Sequence, residues 1–265
     1  MIFARWALAL SALGVIGAFG ATLLNFPANP RVMRAARYAA FGVILASWLM
    51  ITAQLQLWFG TEGMADPENV WTMLSITLWG LHWSWLSGVS IVVVLVLWIG
   101  TRRPALWIYA SGAAAIGLTA VVPLVGHGGT HDAVVLFWHR AHLFGAGTWI
   151  GSLLVAVLAG MSDASALLAS LRRFAPIAFV GAALVAVSGV ALGLEHLSSF
   201  NLLWTTTYGR VLMAKVATVL VVGALGFVNW RGPRFTVVLA EVIIAVLGVL
   251  ALTAWLSELD MMAGH

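Results

Sequence analysis

The chain has 265 residues, 62% of them hydrophobic and only 8% charged, with a mean hydropathy of +1.03. A soluble domain of this length cannot enclose so much apolar surface, so most of the chain has lipid as its solvent. The net charge of +4 does not signify a nucleic-acid partner, because the 13 basic residues are scattered rather than gathered in a stripe, and the lack of cysteine excludes disulfides, thiolate metal sites and thiol catalysis.

A span needs roughly 20 apolar residues. The runs and their breakers predict helices over 5–25, 38–59, 71–99, 105–125, 134–160, 174–195, 210–230 and 235–257, an all-α bundle of about eight transmembrane helices. Irregular backbone facing lipid is not tolerated, so each run is read as helix. The loops are short and leave no room for a soluble domain, and 14 tryptophans suit two membrane–water interfaces.

In chain order the loops alternate in charge. Arg31, Arg34 and Arg37 follow the first run, and Glu62, Asp66 and Glu68 the second. Arg102 and Arg103 follow the third, Asp132 the fourth, Arg172 and Arg173 the fifth. Glu195 closes the sixth, Arg231 and Arg234 follow the seventh, and Glu258 and Asp260 close the eighth. Nine of the 13 basic residues thus share one side, which the positive-inside rule makes cytoplasmic, with both termini periplasmic. The first run, with Arg5, could pass for a signal peptide. Its cleavage would put Arg31, Arg34 and Arg37 outside, so the expectation is an uncleaved span.

On that topology none of the seven histidines is cytoplasmic. His127 and His131 lie in the glycine-rich loop before the fifth run, with His139 beside it, and His142 is a turn or two inside. His82 lies in the outer half of the third run, His196 ends the sixth, and His265 is terminal. Histidine tolerates an interface, which accounts for a loop residue as simply as a ligand role does. His82 and His142 are harder to dismiss, because ionisable residues inside a span usually face the bundle and mark a site. Imidazole is the commonest ligand for copper, zinc, iron and nickel. The tail adds Met261 and Met262 near His265, and thioether with imidazole but no thiolate suits copper, as Cu(I) or Cu(II), better than zinc. Methionine is also an ordinary filler of apolar chains.

Two further ionisable residues fall within spans. Lys215 is the sole lysine; it lies near the outer end of the seventh run, and the third run has no carboxylate counter-ion, so a retinal Schiff base is not expected. Glu241 enters the eighth run from the inner side and is either a way-station for a cation or a carboxylate snorkelling towards Arg231 or Arg234. Gly147 and Gly151, and Gly181 with Gly189, read as helix-packing positions.

The ordered motifs His142…Trp149-Ile150-Gly151, Phe174-Ala175-Pro176 and Tyr208-Gly209-Arg210…Lys215, between about 135 and 256, resemble those of the CopD family of bacterial copper-resistance membrane proteins. The segment from His142 through Trp149 and Gly151 to Ser152 is similar to its His…Trp-x-Gly-Gly-Leu helix, with Ser152 in place of the second glycine. Arg173-Phe174-Ala175-Pro176-Ile177-Ala178 is similar to Phe-Ser-Pro-Ile-Ala. Tyr208-Gly209-Arg210 with Lys215 is close to Tyr-Gly-Arg-x-Leu-x-x-Lys, followed by Asn229 and Glu241, and Gly126-His127-Gly128 resembles an upstream Gly-His-Ala element.

The resemblance implies copper movement across the bacterial inner membrane, often beside a periplasmic CopC-type copper-binding partner, and carries over to His127, His142, Trp149, Tyr208, Arg210, Lys215 and Glu241. It divides the chain into an N-terminal four-span half, 1–133, and a CopD-like half, 134–265, within one membrane domain. The expectation is a transporter and not an enzyme, with His82, His127, His131, His139 and His142 as copper ligands, the tail as a further contact, and Glu241 as a relay. Two rivals stay open: a haem b redox protein with His82 and His142 as axial ligands, and a copper sensor or assembly factor that binds without transport.

Overall fold

The computed structural model describes residues 1–23, 29–126, 132–160, 164–197 and 199–263. Its helices are α1 (Ile2–Leu23), α2 (Pro30–Gly63), α3 (Pro67–Ile76), α4 (Leu78–Arg102), α5 (Trp107–Val121), α6 (Ala133–Ala146), α7 (Ser152–Gly160), α8 (Ala164–His196), α9 (Leu202–Thr205), α10 (Thr207–Arg231), α11 (Phe235–Ile243) and α12 (Leu250–Ala263). Short 3₁₀ turns flank α5. Wide π turns at Gly147–Gly151 and Ile244–Val249 join α6 to α7 and α11 to α12.

Among the described residues, eight helical stretches are long and apolar enough to span a membrane, and no strand occurs. Their outer surface is apolar, with Phe179 76% and Leu220 68% exposed, as a lipid-facing surface must be.

Six of the eight stretches fall where the apolar runs predict, to within about three residues. The third differs: residues 71–76 belong to the separate helix α3, and the span begins at Leu78. Local capping chemistry causes the break. Asp66 accepts from the Glu68 N–H with Pro67 at the first helical position, and Thr77, in extended backbone, accepts from the Gly80 N–H to start α4. Asn29 and Pro30 likewise start α2 well before residue 38. Near its far end α2 kinks at Gly60, whose φ of 70° suits glycine.

The bundle is built around α1, which packs against α2, α5, α7, α12 and the first π turn. The crossing with that π turn is backbone on backbone: a Cβ on Gly17 would strike the Gly151 carbonyl group, and one on Gly151 would strike the Leu13 carbonyl oxygen. Without a hydrophobic driving force between helices in lipid, such close approach is what dispersion contacts require. Ser152 is fully buried and its hydroxyl occupies the notch left by Gly20, without a hydrogen-bond partner among the described residues.

Indole N–H groups add directional ties. Trp107 donates to Thr22 Oγ1 at 2.8 Å, Trp83 to the Ser47 carbonyl at 2.7 Å and Trp6 to the Val246 carbonyl at 3.0 Å. One apolar core unites α1, α2, α4 and α5, and a second lies among α7, α8, α10 and α11.

The first and last helices are joined by an ion pair. Arg5 Nε donates to Glu258 Oε1 at 2.7 Å, with Arg5 only 7% exposed. Removing one partner of a buried pair strands the other charge. Arg5→Met should therefore destabilise the detergent-solubilised protein by about 2–3 kcal/mol, and the double variant Arg5→Met/Glu258→Met by less. Thermal unfolding of the single and double variants measures both.

Candidate functional site

Helix α6 starts at Asp132, whose carboxylate accepts from the N–H groups of Val134 and Val135, each at 2.9 Å. His139 and His142 then share a face one turn apart. His142 lies about 14 Å along the helix from its start, within the membrane. Facing it is α8, which comes close because Gly145 and Gly181 approach each other's carbonyl oxygens and Gly189 leaves room beside the imidazole.

Ser188 fixes the state of that ring. Its single hydroxyl hydrogen is donated to the Leu184 carbonyl one turn back. Ser188 Oγ, 3.0 Å from His142 Nδ1, is therefore an acceptor, and Nδ1 carries the hydrogen. A neutral ring in that tautomer has its lone pair on Nε2. A histidine held by a hydrogen bond at one nitrogen and presenting the other is the arrangement metal-binding histidines use. Lys215, about 12 Å into α10, and His139 both lie within electrostatic reach of His142. Three helices thus contribute ionisable or polar groups at one depth.

The remaining expected residues are placed more loosely. Trp149 is buried in the first π turn, against Gly181. Tyr208 is half-buried in the first turn of α10, and Arg210 is exposed, its Nε donating to the Thr206 carbonyl at 3.3 Å. His82 is half-buried near the start of α4, whose neighbours are α2, α3 and α5, whereas α6 packs chiefly on α8 and the first π turn. Among the described residues no three of His, Asp or Glu form a metal-holding group.

His127, His131 and His265 lie outside the described residues, as do the side chains of His196, Met261 and Met262. Their attachment points are described. Gly126, which leads into the histidine loop, lies beside the Arg5 guanidinium, and Arg5 holds Glu258 on α12, about one turn before Met261. The loop and the tail therefore spring from the same end of α1.

At the opposite end of the bundle Glu241 is 3% exposed and accepts from Asn229 Nδ2 at 2.7 Å. The carboxylate does not snorkel: Arg231 lies over the Phe227 ring instead, 5.0 Å from its centroid. Glu241 is held by Asn229 and not by Lys215.

Two partners, Ser188 and the Arg5–Glu258 pair, were not singled out from the sequence as parts of a site. Ser188 adjoins Gly189, a position read only for packing, and a hydroxyl in an apolar helix beside a glycine was the available signal. Arg5 and Glu258 are separated by 253 positions, and no local pattern links them.

The comparisons with known proteins agree with this architecture. Copper resistance protein D matches residues 168–256, and Copper resistance protein D-like, N-terminal domain, matches residues 1–138. No curated protein and no solved structure matches the chain. The two family matches together span both halves of the eight-helix bundle, and the chain belongs to the copper resistance protein D (CopD) family, as a multi-pass protein of the inner membrane.

Proposed function

We propose that the protein carries copper across the inner membrane, accepting it at the periplasmic face through the histidines of the α5–α6 loop and of α6. The observation that carries this reading is His142, an imidazole inside a span that is held by Ser188 and lies within electrostatic reach of Lys215. Copper is the cargo. His127, His131 and His139 receive it, with His82 and the tail residues Met261, Met262 and His265 as additional contacts, and His142 is the first ligand inside the membrane. A periplasmic CopC-type chaperone is the proposed donor, delivering to the face where both termini lie.

The neighbouring lysine supports transit over storage. A cation near the imidazole weakens any metal bound there, so copper at His142 is held loosely and can move on. Trp149 and Gly151, locked against α8 and α1, keep α6 in register with its neighbours. Tyr208 and Arg210 lie at the entry to α10.

Copper uptake by proteoliposomes of the purified protein tests the proposal. Time-dependent accumulation inside the vesicles, above that of empty liposomes, is the expected result. Stoichiometric copper binding without accumulation would make the protein a binder and sink the transport reading.

A further inference from the structure

The inner half of the bundle holds a polar pair that the copper path does not use. Glu241 comes from α11 and Asn229 from the last turn of α10, 3% and 9% exposed respectively. Asn229 Nδ2 donates to Oε2 of the carboxyl group at 2.7 Å. The other oxygen, Oε1, faces Gly226, where a Cβ would stand 3.1 Å away, so the missing side chain leaves that oxygen room. Asn229 Oδ1 is buried and accepts no hydrogen bond. Three oxygens thus meet with one donor among them.

Among the described residues no cation answers them, the side chains of Arg172 and Arg173 on α8 lying outside these. On α10, Lys215 is at the depth of His142 and Arg231 stacks on Phe227. Tyr208 and Arg210 are at the far end of that helix. On α12, Glu258 pairs with Arg5 at the other end of the bundle. Arg234, which precedes α11, is exposed, and α7 carries no titratable side chain. Arg31, from α2, donates to the Ala159 carbonyl at the end of α7 at 3.1 Å.

The donor set also discriminates between ligands. Carboxylate and amide oxygens are hard and suit copper in either oxidation state less well than imidazole does, Cu(I) least of all. Three oxygens fall short of the roughly six to eight that a calcium-sized cation takes. A proton needs one oxygen, removes an unpaired charge from the apolar interior, and turns the carboxyl group into the donor that Asn229 Oδ1 lacks.

We propose that Glu241, with Asn229, is the binding site of a transported proton, which makes the proton the coupling ion of this protein. Binding forms the O–H bond of the carboxylic acid, and release to the inner side restores the carboxylate, with no change of oxidation state. The coupling rests on the copper-transport reading, whereas the proton site can be tested without it.

Two measurements on the full-length protein settle the inference. The first is labelling with dicyclohexylcarbodiimide, which requires a protonated carboxyl group in apolar surroundings, followed by peptide mass spectrometry. Glu241 should be labelled, with labelling falling as pH rises, and an unlabelled Glu241 at every pH overturns the proposal. The second is copper flux into proteoliposomes with and without an imposed pH gradient. The wild type should respond to the gradient, and Glu241→Gln, a neutral isostere that still fits Asn229, should lose at least about tenfold of the gradient-driven flux.

Glu241→Asp keeps a titratable group and should retain a reduced response, which separates proton loss from misfolding. Gradient-driven flux persisting in Glu241→Gln overturns the coupling role. If no variant moves copper, the transport reading fails and the labelling alone decides the proton site.

Discussion

Gly17→Val is expected to leave almost no folded protein. The Gly17 Cα faces the Gly151 backbone at the tightest crossing in the bundle, and an added side chain would meet a carbonyl carbon, its oxygen and the next amide nitrogen. Backbone cannot move aside as a side-chain tip can, so the cost exceeds the roughly 1–3 kcal/mol of ordinary overpacking. Gly151→Leu should do the same from the other side, against the Leu13 carbonyl oxygen. Gly193→Ala, which meets nothing within 4 Å, is the matched control and should be neutral. Monodispersity after detergent extraction, read by fluorescence-detected gel filtration, reports all three, and a monodisperse Gly17→Val variant would show that the crossing is looser than described.

His142→Ala is expected to lower copper flux at least about tenfold while leaving the protein folded, since the ring is half-buried and its removal creates no unpaired charge. Ser188→Ala should produce a smaller effect of the same sign. It removes no ligand but frees the imidazole to rotate and to exchange tautomers, the loss of support that weakens metal sites roughly 10–100-fold. Copper titration of the two variants, together with their flux, separates a ligand from its support. Equal affinity in wild type and His142→Ala would remove His142 from the path.

Most of the helix count was legible in the sequence because a membrane span is a length-and-composition signal. What escaped was local chemistry overriding that signal. Asp66-Pro67 and Thr77 are start signals that divide an apolar run in two, and Asn29-Pro30 extends α2 below its apolar part.

For the site, His142, Lys215 and Glu241 announced themselves as ionisable groups in an apolar context. Asn229, the partner of Glu241, belongs to the same CopD-like motif, whereas Ser188, the partner of His142, carries no such signal. Ser188 and Asn229 are acceptors or donors whose meaning depends on which face of a neighbouring helix they meet, and crossing geometry lies beyond sequence periodicity. The alternation of loop charge predicts sidedness, but the helices themselves look much the same from either end.

The ion pair between Arg5 and Glu258, with the Trp6 bond to Val246, bears on the order in which the molecule is assembled. The first helix enters the bilayer while the residues that complete its surroundings are still untranslated. Until the second π turn and α12 arrive, Arg5 has no Glu258 and the Trp6 indole no Val246 carbonyl. The contacts that complete the surroundings of α1 therefore come from α12 and the turn before it, which are made long after α1. Truncation before residue 246 should therefore leave an inserted but open bundle, readily cleaved by protease, however complete its other spans.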